Sequence, residues 1–351
     1  MCFDGCALPV LRRLCAAAPQ PNAALPLGLE DNDEARGERL RTAPAGLGAE
    51  LERRTEDGVC IISLGGGGDH EQPWGTKAAE HRLYPAAVLA LDRALDAAED
   101  DPSVAAVILT AEGKYFSNGF DLKFLQRHAN LADDLQRATE LLCARILRFP
   151  KPTVAAVNGH ACAAGAMLML CLDKCVMNAD RGFCFVPGVD LGLTYSPGMS
   201  ALMAARLPFA LRHDFIVLGD RFTATSLSAH GVVTACPTDR VLPIALEKAK
   251  ALRPKAKHGS TLSTIKATLY HEAIAALEVE PDAIIMDPRF VAMGFGSLAE
   301  GVDRPAPPQE PTPRPSPRDL PTRASSLALL RHGRIVDATV QSQKDLRKWA
   351  A

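Results

Sequence analysis

Two loops of the sequence place small residues at points where a predicted strand gives way to a predicted helix. The first loop spans residues 114–123 (KYFSNGFDLK) and the second spans residues 157–165 (VNGHACAAG). Small residues leave backbone N–H groups open at a helix start, and two such groups converging on one point would bind an oxyanion. The alternative interpretation is that both loops are tight turns whose small residues serve packing alone.

The elements around these loops alternate between strand and helix. Val88, Leu91 and Leu95 recur at helical spacing and predict an amphipathic helix over residues 85–99. Buried strands are predicted before and after it, and a second helix–strand–helix series follows up to residue 172, which indicates an α/β fold. Beyond residue 196 the pattern is largely helical. The predicted strands are 58–64, 104–109, 153–157, 175–177 and 183–185.

Composition and charge indicate the domain organisation and the kinds of partner to expect. The chain has 351 residues, a net charge of −2 and no apolar run of membrane-spanning length, which argues against a nucleic-acid or membrane partner. Eight of the 26 prolines lie between residues 305 and 321, a density typical of extended linkers. We therefore predict a disordered extension over residues 1–54, one folded domain over 55–280, and a proline-rich linker and tail over 281–351.

The ten cysteines and the glycine run suggest no metal or nucleotide chemistry. Most core cysteines lie in apolar runs and are interpreted as small buried residues in a reducing compartment. Cys171 and Cys175 form the only close pair in the core, without the second ligand pair that a structural zinc site requires, so no metal is expected. Residues 65–68 are four glycines, which we interpret as a flexible loop because the Lys-Ser/Thr of a phosphate-binding loop is missing.

Four motifs in order make the sequence resemble the crotonase superfamily, also called the enoyl-CoA hydratase/isomerase family. FSNGFDL at residues 116–122 resembles that family's Phe-x-x-Gly-x-Asp-Leu element. NGHACAAG at 158–165 is similar to its Asn-Gly-x-Ala-x-Gly-Gly-Gly element, with Ala163 and Ala164 replacing two glycines. KPTVAAV at 151–157 and VDLGL at 189–193 resemble two further family segments. The loops and residues 263–270 are most similar to plant-type monofunctional Δ3,Δ2-enoyl-CoA isomerases.

The resemblance implies a fold, a ligand and an assembly. The fold would be a spiral of ββα units with a helical C-terminal region that packs at a trimer interface, giving a homotrimer or hexamer. The ligand would be an acyl-CoA thioester, with coenzyme A as part of the substrate and no separate cofactor. Family members of this type act in β-oxidation, so a peroxisome or mitochondrion is expected, although the sequence carries no clear targeting signal.

Carried over by position, the resemblance also assigns roles to single residues. The backbone N–H groups of Phe120 and Ala164 would form the oxyanion hole, and Asp121 would cap the following helix. Lys123 would lie near the CoA nucleotide, with a solvated helix lysine as the alternative. The substrate-binding residues implied by the family motifs are Ser117, Asn118, Gly119, Lys123, Gly165, Gly188 and Ser196.

The family's usual catalytic carboxylates are absent from this sequence. The three positions where the resemblance expects Glu or Asp hold Met167, Gly188 and Ser196. Asp190 is the nearest remaining acid and a candidate proton shuttle, with a local loop role as the alternative. His160 adjoins the second loop and is a further candidate, or a packing residue beneath that loop.

Three hypotheses follow from this pattern. The first is an enoyl-CoA Δ3,Δ2-isomerase-like protein that holds the thioester oxygen on two backbone N–H groups. The second is a catalytically degenerate crotonase-fold protein that binds acyl-CoA or serves as an assembly subunit. The third is a crotonase-fold thioester hydrolase that uses Ser196, which lacks a general base near it in the sequence.

Overall fold

Two sheets form the framework that positions the two loops. The computed structural model describes residues 31–43, 51–65 and 71–279. Its strands are β1 (Glu52–Glu56), β2 (Val59–Leu64), β3 (Ala106–Ala111), β4 (Tyr115–Ser117), β5 (Thr153–Val157), β6 (His160–Cys162), β7 (Lys174–Asn178), β8 (Cys184–Phe185) and β9 (Thr234–Cys236). The larger sheet has the order β1-β2-β3-β5-β7-β9, and the smaller has the order β4-β6-β8.

The strands of the larger sheet are parallel, except that β1 runs antiparallel to β2. Every residue of β2, β3 and β5 is buried, as expected for parallel strands covered on both faces, and this explains their continuous apolar sequences. The register pairs Ile61 with Ile108, and Ile108 with Val154. Strand β1 is exposed along its whole length and carries charged side chains, which protects this edge from pairing with another chain.

Helices follow the strands and bury one face against the sheets. The amphipathic helix predicted over residues 85–99 is confirmed, with Val88, Leu91 and Leu95 buried. The α-helices in the described residues are α1 (Asp31–Thr42), α2 (Pro85–Asp100), α3 (Leu122–Arg127), α4 (Ala132–Leu147), α5 (Ala164–Cys171), α6 (Gly188–Leu191), α7 (Pro197–Arg206), α8 (Phe209–Arg212), α9 (Ala224–Ala229), α10 (Val241–Leu252), α11 (Gly259–Leu269) and α12 (His271–Glu278).

The connections between the two sheets form a spiral. Strand β3 of the larger sheet continues into β4 of the smaller sheet, β5 continues into β6, and β7 continues into β8. Helices follow β4 and β6 before the chain returns to the larger sheet. The predicted α/β fold with ββα units is therefore confirmed. Because β4, β6 and β8 are parallel neighbours, their carboxyl ends lie at one edge of the smaller sheet.

The prediction of a disordered extension over residues 1–54 is corrected at two places. Helix α1 packs on the core through Leu40, which is 3% exposed, and strand β1 pairs with β2. The Nε atoms of Arg36 and Arg39 contact the buried Asp134 carboxylate on α4 at 3.0 and 2.7 Å. This mostly polar helix depends on long-range ion pairs, which sequence periodicity does not reveal. Residues 66–70 and 281–351 lie outside the described residues.

The C-terminal helices are fixed to the sheet by a buried lysine. The ammonium group of Lys266 on α11 donates to the Phe149 carbonyl at 3.0 Å and to the Asp173 carboxylate at 2.7 Å. Gly198 on α7 packs against the backbone of α12, where a β carbon would lie 2.8 Å from the Ala276 carbonyl oxygen. The predicted helical C-terminal region is observed up to residue 279, and its role at a trimer interface stays a prediction. No helix in the described residues is long and apolar enough to cross a membrane.

Candidate active site

The candidate site lies where the loops after β4, β6 and β8 meet. Cys162 of β6 pairs with Phe185 of β8, and the Ala163 N–H donates to the Phe185 carbonyl at 2.9 Å. Ser117 of β4 pairs with Ala161 of β6. The parallel register therefore brings the first loop, the second loop and the segment that follows β8 side by side. Most residues assigned to the site from the sequence lie in these three segments.

Glycines allow the first two loops to pack backbone against backbone. A β carbon on Gly119 would lie 2.9 Å from the Ala163 β carbon and 3.2 Å from the Ala164 nitrogen. A β carbon on Gly165 would lie 2.4 Å from the Ser117 carbonyl oxygen. Real β carbons do not approach other atoms this closely, so a larger residue at either glycine would push the two loops apart. The predicted substrate-binding residues Gly119 and Gly165 thus lie at the contact between the loops.

Two backbone donors at this contact are open. In the part of the chain that the structure describes, the N–H groups of Phe120 and Ala164 donate to no backbone carbonyl. Both belong to peptides whose carbonyl oxygens accept hydrogen bonds. The Gly119 carbonyl accepts from the Leu83 N–H at 2.8 Å, and the Ala163 carbonyl accepts from the Ala166 and Met167 N–H groups. Hydrogen bonding to a peptide oxygen polarises its N–H, which makes these two groups stronger donors.

Ala163 adopts an unusual backbone conformation at the start of α5. Its φ is 49° and its ψ is −123°, a region that glycine occupies readily and alanine rarely. The turn places the Ala164 N–H at the first position of α5, where the helix leaves it without an internal acceptor. The strain in Ala163 is thus tied to the exposure of the second donor.

Residues 80–83 form a segment that holds the first loop along its length, which we call the template segment. The Ser117 hydroxyl donates to the His81 carbonyl at 2.7 Å. The Leu83 N–H donates to Gly119, and the Leu83 carbonyl accepts from the Asp121 N–H at 2.9 Å. The predicted substrate-binding residue Ser117 is completely buried by these contacts, so its hydroxyl orients the loop from beneath.

Charged side chains of the template segment contact the same loop. Arg82 donates from its guanidinium to the Phe120 carbonyl at 3.2 Å, and its Nε lies 2.6 Å from the Glu80 carboxylate. Asn118 donates its side-chain amide to the same carboxylate at 3.2 Å. The predicted substrate-binding residue Asn118 is therefore tied to Glu80, and Arg82 fixes the carbonyl side of Phe120.

Asp121 anchors the residue after the first donor. The predicted cap is confirmed, since the carboxylate of this fully buried residue accepts from the Phe124 N–H at 3.1 Å. It also accepts from Trp74 Nε1 and the Thr76 hydroxyl, each at 2.6 Å. Lys123 lies exposed on α3, with its ammonium group 2.8 Å from the Gly75 carbonyl. Lys123 thus lies away from the contact between the two loops.

The third segment of the site contains Gly188, and the Tyr195 hydroxyl occupies the space beside it. The Tyr195 oxygen accepts from the Gly188 N–H at 2.7 Å, and its hydroxyl donates to the Val186 carbonyl at 2.9 Å. Burial raises the pKa of Tyr195 above its ordinary value, and the charge of Asp190 acts in the same direction, while the Gly188 bond opposes both. Asp190 itself is exposed on the short helix α6.

The other two expected acid positions face the interior. Met167 is buried within α5. Ser196 is 2% exposed, and its hydroxyl caps α7 by accepting from the Met199 N–H at 2.9 Å. The Ser196 hydroxyl is engaged in this capping hydrogen bond, which weighs against its use as a nucleophile.

His160 and Cys162 of β6 are engaged in packing. The His160 ring lies between Tyr115 and Phe183, with ring centroids 5.3 and 5.8 Å apart, and its Nδ1 accepts from the Phe183 N–H. Burial raises the pKa of Cys162 to about 12, so this thiol stays protonated near neutral pH and is a poor nucleophile. The described residues contain no group of three or more His, Cys, Asp or Glu side chains that could hold a metal ion.

Sequence reasoning identified both donor loops but missed the residues that support them. Tyr195 contacts Gly188, seven residues earlier, within an irregular segment where no helix or strand period relates the two residues. Arg82 and Glu80 have no motif of their own, and Trp74 lies in a polar loop. The opposite charges of Glu80 and Arg82, two residues apart and shortly before a predicted helix, were the one local signal that could have drawn attention to the template segment.

The sequence profile described as enoyl-CoA hydratase/isomerase matches residues 83–283, which is more than half of the chain. Together with the spiral of ββα units, this match shows that the chain belongs to the enoyl-CoA hydratase/isomerase family, so the resemblance drawn from the motifs is confirmed.

Individual relatives include both isomerases and hydratases. The peroxisomal enoyl-CoA delta isomerase 2 of Arabidopsis thaliana is 31% identical over 216 residues, covering 58% of this chain and 90% of that protein. The 2,3-dehydroadipyl-CoA hydratase of Escherichia coli K12 is 30% identical over 203 residues, covering 57% and 78%. A crystal structure of a probable enoyl-CoA hydratase from Mycobacterium tuberculosis superposes with a TM-score of 0.57 at 28% identity, covering 65% and 93%. Family membership alone therefore does not select the reaction.

Proposed function

We propose that this protein binds the CoA thioester of an unsaturated acid and promotes migration of its double bond from C3 to C2. The observation that carries the proposal is the pair of open, polarised N–H groups of Phe120 and Ala164 at the loop contact. Such a pair would donate hydrogen bonds to the thioester oxygen and stabilise it most strongly when it becomes an enolate oxygen. The similarity to a plant delta isomerase supports the same reaction.

The proposed reaction moves one proton and needs no activated water. A base removes a proton from C2, next to the thioester carbonyl, and the electrons form a dienolate whose oxygen the two N–H groups hold. The same group then returns the proton to C4, which leaves the double bond between C2 and C3. Asp190, on α6 beyond Gly188, is the proposed proton carrier. Its exposure leaves it solvated, so we expect slow turnover.

The basic residues beside the first loop are proposed to receive the CoA moiety. An open depression next to this loop is lined by Lys77, Arg82 and the backbone around Leu83. Lys123 is exposed on the adjoining helix. Cations of this kind suit the phosphates of coenzyme A. We further propose a homotrimer or hexamer located in a peroxisome or mitochondrion, in keeping with relatives of both organelles.

A second candidate function is thioester binding without turnover, as a binding or assembly subunit. The observation that favours it is that the three expected acid positions hold Met167, Gly188 and Ser196, none of which is a carboxylate. Met167 and Ser196 are also buried, and Tyr195 fills the space beside Gly188. The oxyanion hole does not depend on these positions. A hydrolase that uses Ser196 has less support, since that hydroxyl caps α7.

The test uses the purified full-length chain with trans-3-hexenoyl-CoA and follows conjugation of the double bond by ultraviolet absorbance. Binding is measured separately with a 2,4-dienoyl-CoA, whose absorption moves to longer wavelength when its carbonyl accepts hydrogen bonds. We expect the unmodified chain to bind with such a shift and to turn over slowly. Ala164→Pro removes one donor N–H at a helix position that tolerates proline, and should lower turnover about 10²- to 10³-fold.

The matched control is Ala164→Gly, which keeps the N–H group and should keep the absorption shift. Asp190→Asn should abolish turnover while leaving binding intact. A thioester that binds with the shift but shows no turnover in the unmodified chain would establish the second candidate. The absence of any thioester binding would overturn both.

A further inference from the structure

We infer that Tyr195 determines the chemistry of this site, because its phenol occupies the space that a side chain at position 188 would need to reach the thioester. The inference rests on the proposed function, since it concerns the wall of the same cleft. Tyr195 would then limit proton transfer, and position 188 would be the place from which a base could act.

The first step is steric. A β carbon built on Gly188 would lie 2.4 Å from the Tyr195 hydroxyl oxygen, 2.5 Å from its ring carbon Cζ and 2.8 Å from the Leu193 carbonyl oxygen. Gly188 itself is buried. The Tyr195 ring makes the two closest approaches, and the Leu193 carbonyl oxygen is a third contact that would remain if the ring were removed. Glycine is therefore the residue that fits position 188 without displacement of its neighbours.

The second step is that the Tyr195 ring is held in place. Its hydroxyl makes two hydrogen bonds to the backbone of the segment it contacts, at Gly188 and Val186. The adjoining Ser196 is buried and fixed as the cap of α7. The ring therefore cannot leave its position without breaking both bonds. These bonds join the end of the segment between β8 and α7 to its beginning.

The third step places this segment beside the oxyanion hole. Phe185 pairs with Cys162, and the Phe185 carbonyl accepts from the Ala163 N–H. Val186 follows Phe185 and lies level with the second loop. The Val186 carbonyl accepts the hydrogen bond from the Tyr195 hydroxyl. The phenol thus lies along the wall that begins next to the Ala164 donor.

The chemical consequence follows from the nature of the phenol. A neutral hydroxyl that already donates to a carbonyl cannot take up the proton from C2, and its raised pKa keeps it neutral near pH 7. A carboxylate at position 188 would offer a base at the wall next to the thioester, where proton transfer occurs. Tyr195 and Gly188 together leave position 188 without a base, so proton transfer in the natural chain depends on the exposed Asp190.

The test combines two substitutions with a matched control. Gly188→Glu introduces the carboxylate, and Tyr195→Leu removes the far half of the ring while keeping an apolar body. Tyr195→Phe keeps the ring and its Cζ, so it leaves the space blocked. We expect Gly188→Glu/Tyr195→Leu to isomerise trans-3-hexenoyl-CoA at least about 10²-fold faster than the unmodified chain. Gly188→Glu alone and Gly188→Glu/Tyr195→Phe should show no such gain.

A stability cycle tests the steric step independently of turnover. Gly188→Ala should lower the free energy of unfolding in the natural chain, and should do so less in the Tyr195→Leu background, where the two closest contacts are removed and the Leu193 carbonyl contact remains. An equal effect in both backgrounds would overturn the inference, as would a folded, thioester-binding Gly188→Glu/Tyr195→Leu with no rate gain over the Phe control. Failure of the unmodified chain to bind thioester would instead overturn the proposed function, while the cycle would still report on Tyr195.

Discussion

Ala163 shows how a single residue links backbone geometry to the candidate site. With a φ of 49° and a ψ of −123° it occupies a region that is sparsely populated by residues with a β carbon. Such conformations cost about 1–3 kcal/mol and persist only where the surroundings enforce them. Here the enforcing contacts are the bond from the Ala163 N–H to Phe185 and the close packing of Gly119.

Replacing Ala163 by glycine should therefore stabilise the protein. Glycine adopts this conformation without strain but loses more chain entropy on folding, so we expect a net rise of about 1 kcal/mol in the free energy of unfolding. Chemical denaturation monitored by circular dichroism measures this change. Ala164→Gly is the matched control, because it lies inside α5 and should be neutral or destabilising. A less stable Ala163→Gly would show that the Ala163 methyl group contributes more packing than its backbone strain removes.

The residue scale also shows where sequence reasoning reaches its limit. Phe120 and Ala164 were identifiable because their loops carry local motifs of small residues at strand-to-helix junctions. Tyr195 was not identifiable, because its importance depends on the distance between its hydroxyl and Gly188, which only the folded loop defines. Local motifs report backbone conformation well, whereas contacts between side chains in irregular segments leave no periodic signal.

At the scale of elements, the template segment contains a buried histidine that should make stability depend on pH. His81 is 6% exposed, and its Nε2 lies 3.0 Å from the Glu112 carbonyl. Burial lowers the pKa of His81 below its ordinary value, although the Glu112 carbonyl and the Glu112 charge act in the opposite direction. The folded protein therefore resists protonation of this ring more than the unfolded chain does.

The sign of the effect follows from this difference in proton binding. As the pH falls through about 6.5, the unfolded chain takes up a proton that the folded chain does not, so the free energy of unfolding decreases. We expect the natural chain to lose more stability than His81→Asn between about pH 7.5 and about pH 5.5. Asparagine is chosen because it tolerates the positive φ of 47° at this position.

Urea denaturation at the two pH values measures how much the free energy of unfolding changes with pH in the natural chain and in His81→Asn. The control is the same substitution at an exposed histidine, His271→Asn on α12. Equal pH dependence of the natural chain and His81→Asn would show that His81 takes up its proton equally in both states, contrary to the expected effect of burial.

The elements themselves were largely predictable where apolar residues recur. Strand β5 was predicted with the observed bounds, and α2 was predicted to within one residue at each end. Helix α1 and strands β1, β4, β6 and β9 were missed. Helix α1 has few apolar residues and is secured by the Asp134 ion pairs, and β9 is a three-residue strand defined by its pairing with β7. Tertiary contacts create both, so a local pattern could not predict them.

At the scale of the whole molecule, the spiral explains why residues far apart in sequence meet at one edge. Each passage from the larger sheet to the smaller one adds a short parallel strand, and the loops after β4, β6 and β8 therefore lie in sequence order along that edge. The first two loops supply the open donors, and the third supplies the wall that Tyr195 occupies. In the proposed reaction, binding of the thioester oxygen and proton transfer therefore depend on different segments, so one could persist without the other.

The molecule also carries an apolar face that the predicted homotrimer would cover. Ile265 and Leu269 lie one helical turn apart on α11 and are 60% and 68% exposed. Leu269→Asp should weaken assembly, because it places a charge in an interface that excludes water. Sedimentation velocity would detect the change as a shift of the predicted trimer or hexamer toward smaller species. Thr264→Asp, at an exposed position on the same helix, is the control for added charge alone. A monomeric natural chain would contradict the predicted assembly, and an unchanged Leu269→Asp assembly would place its interface elsewhere.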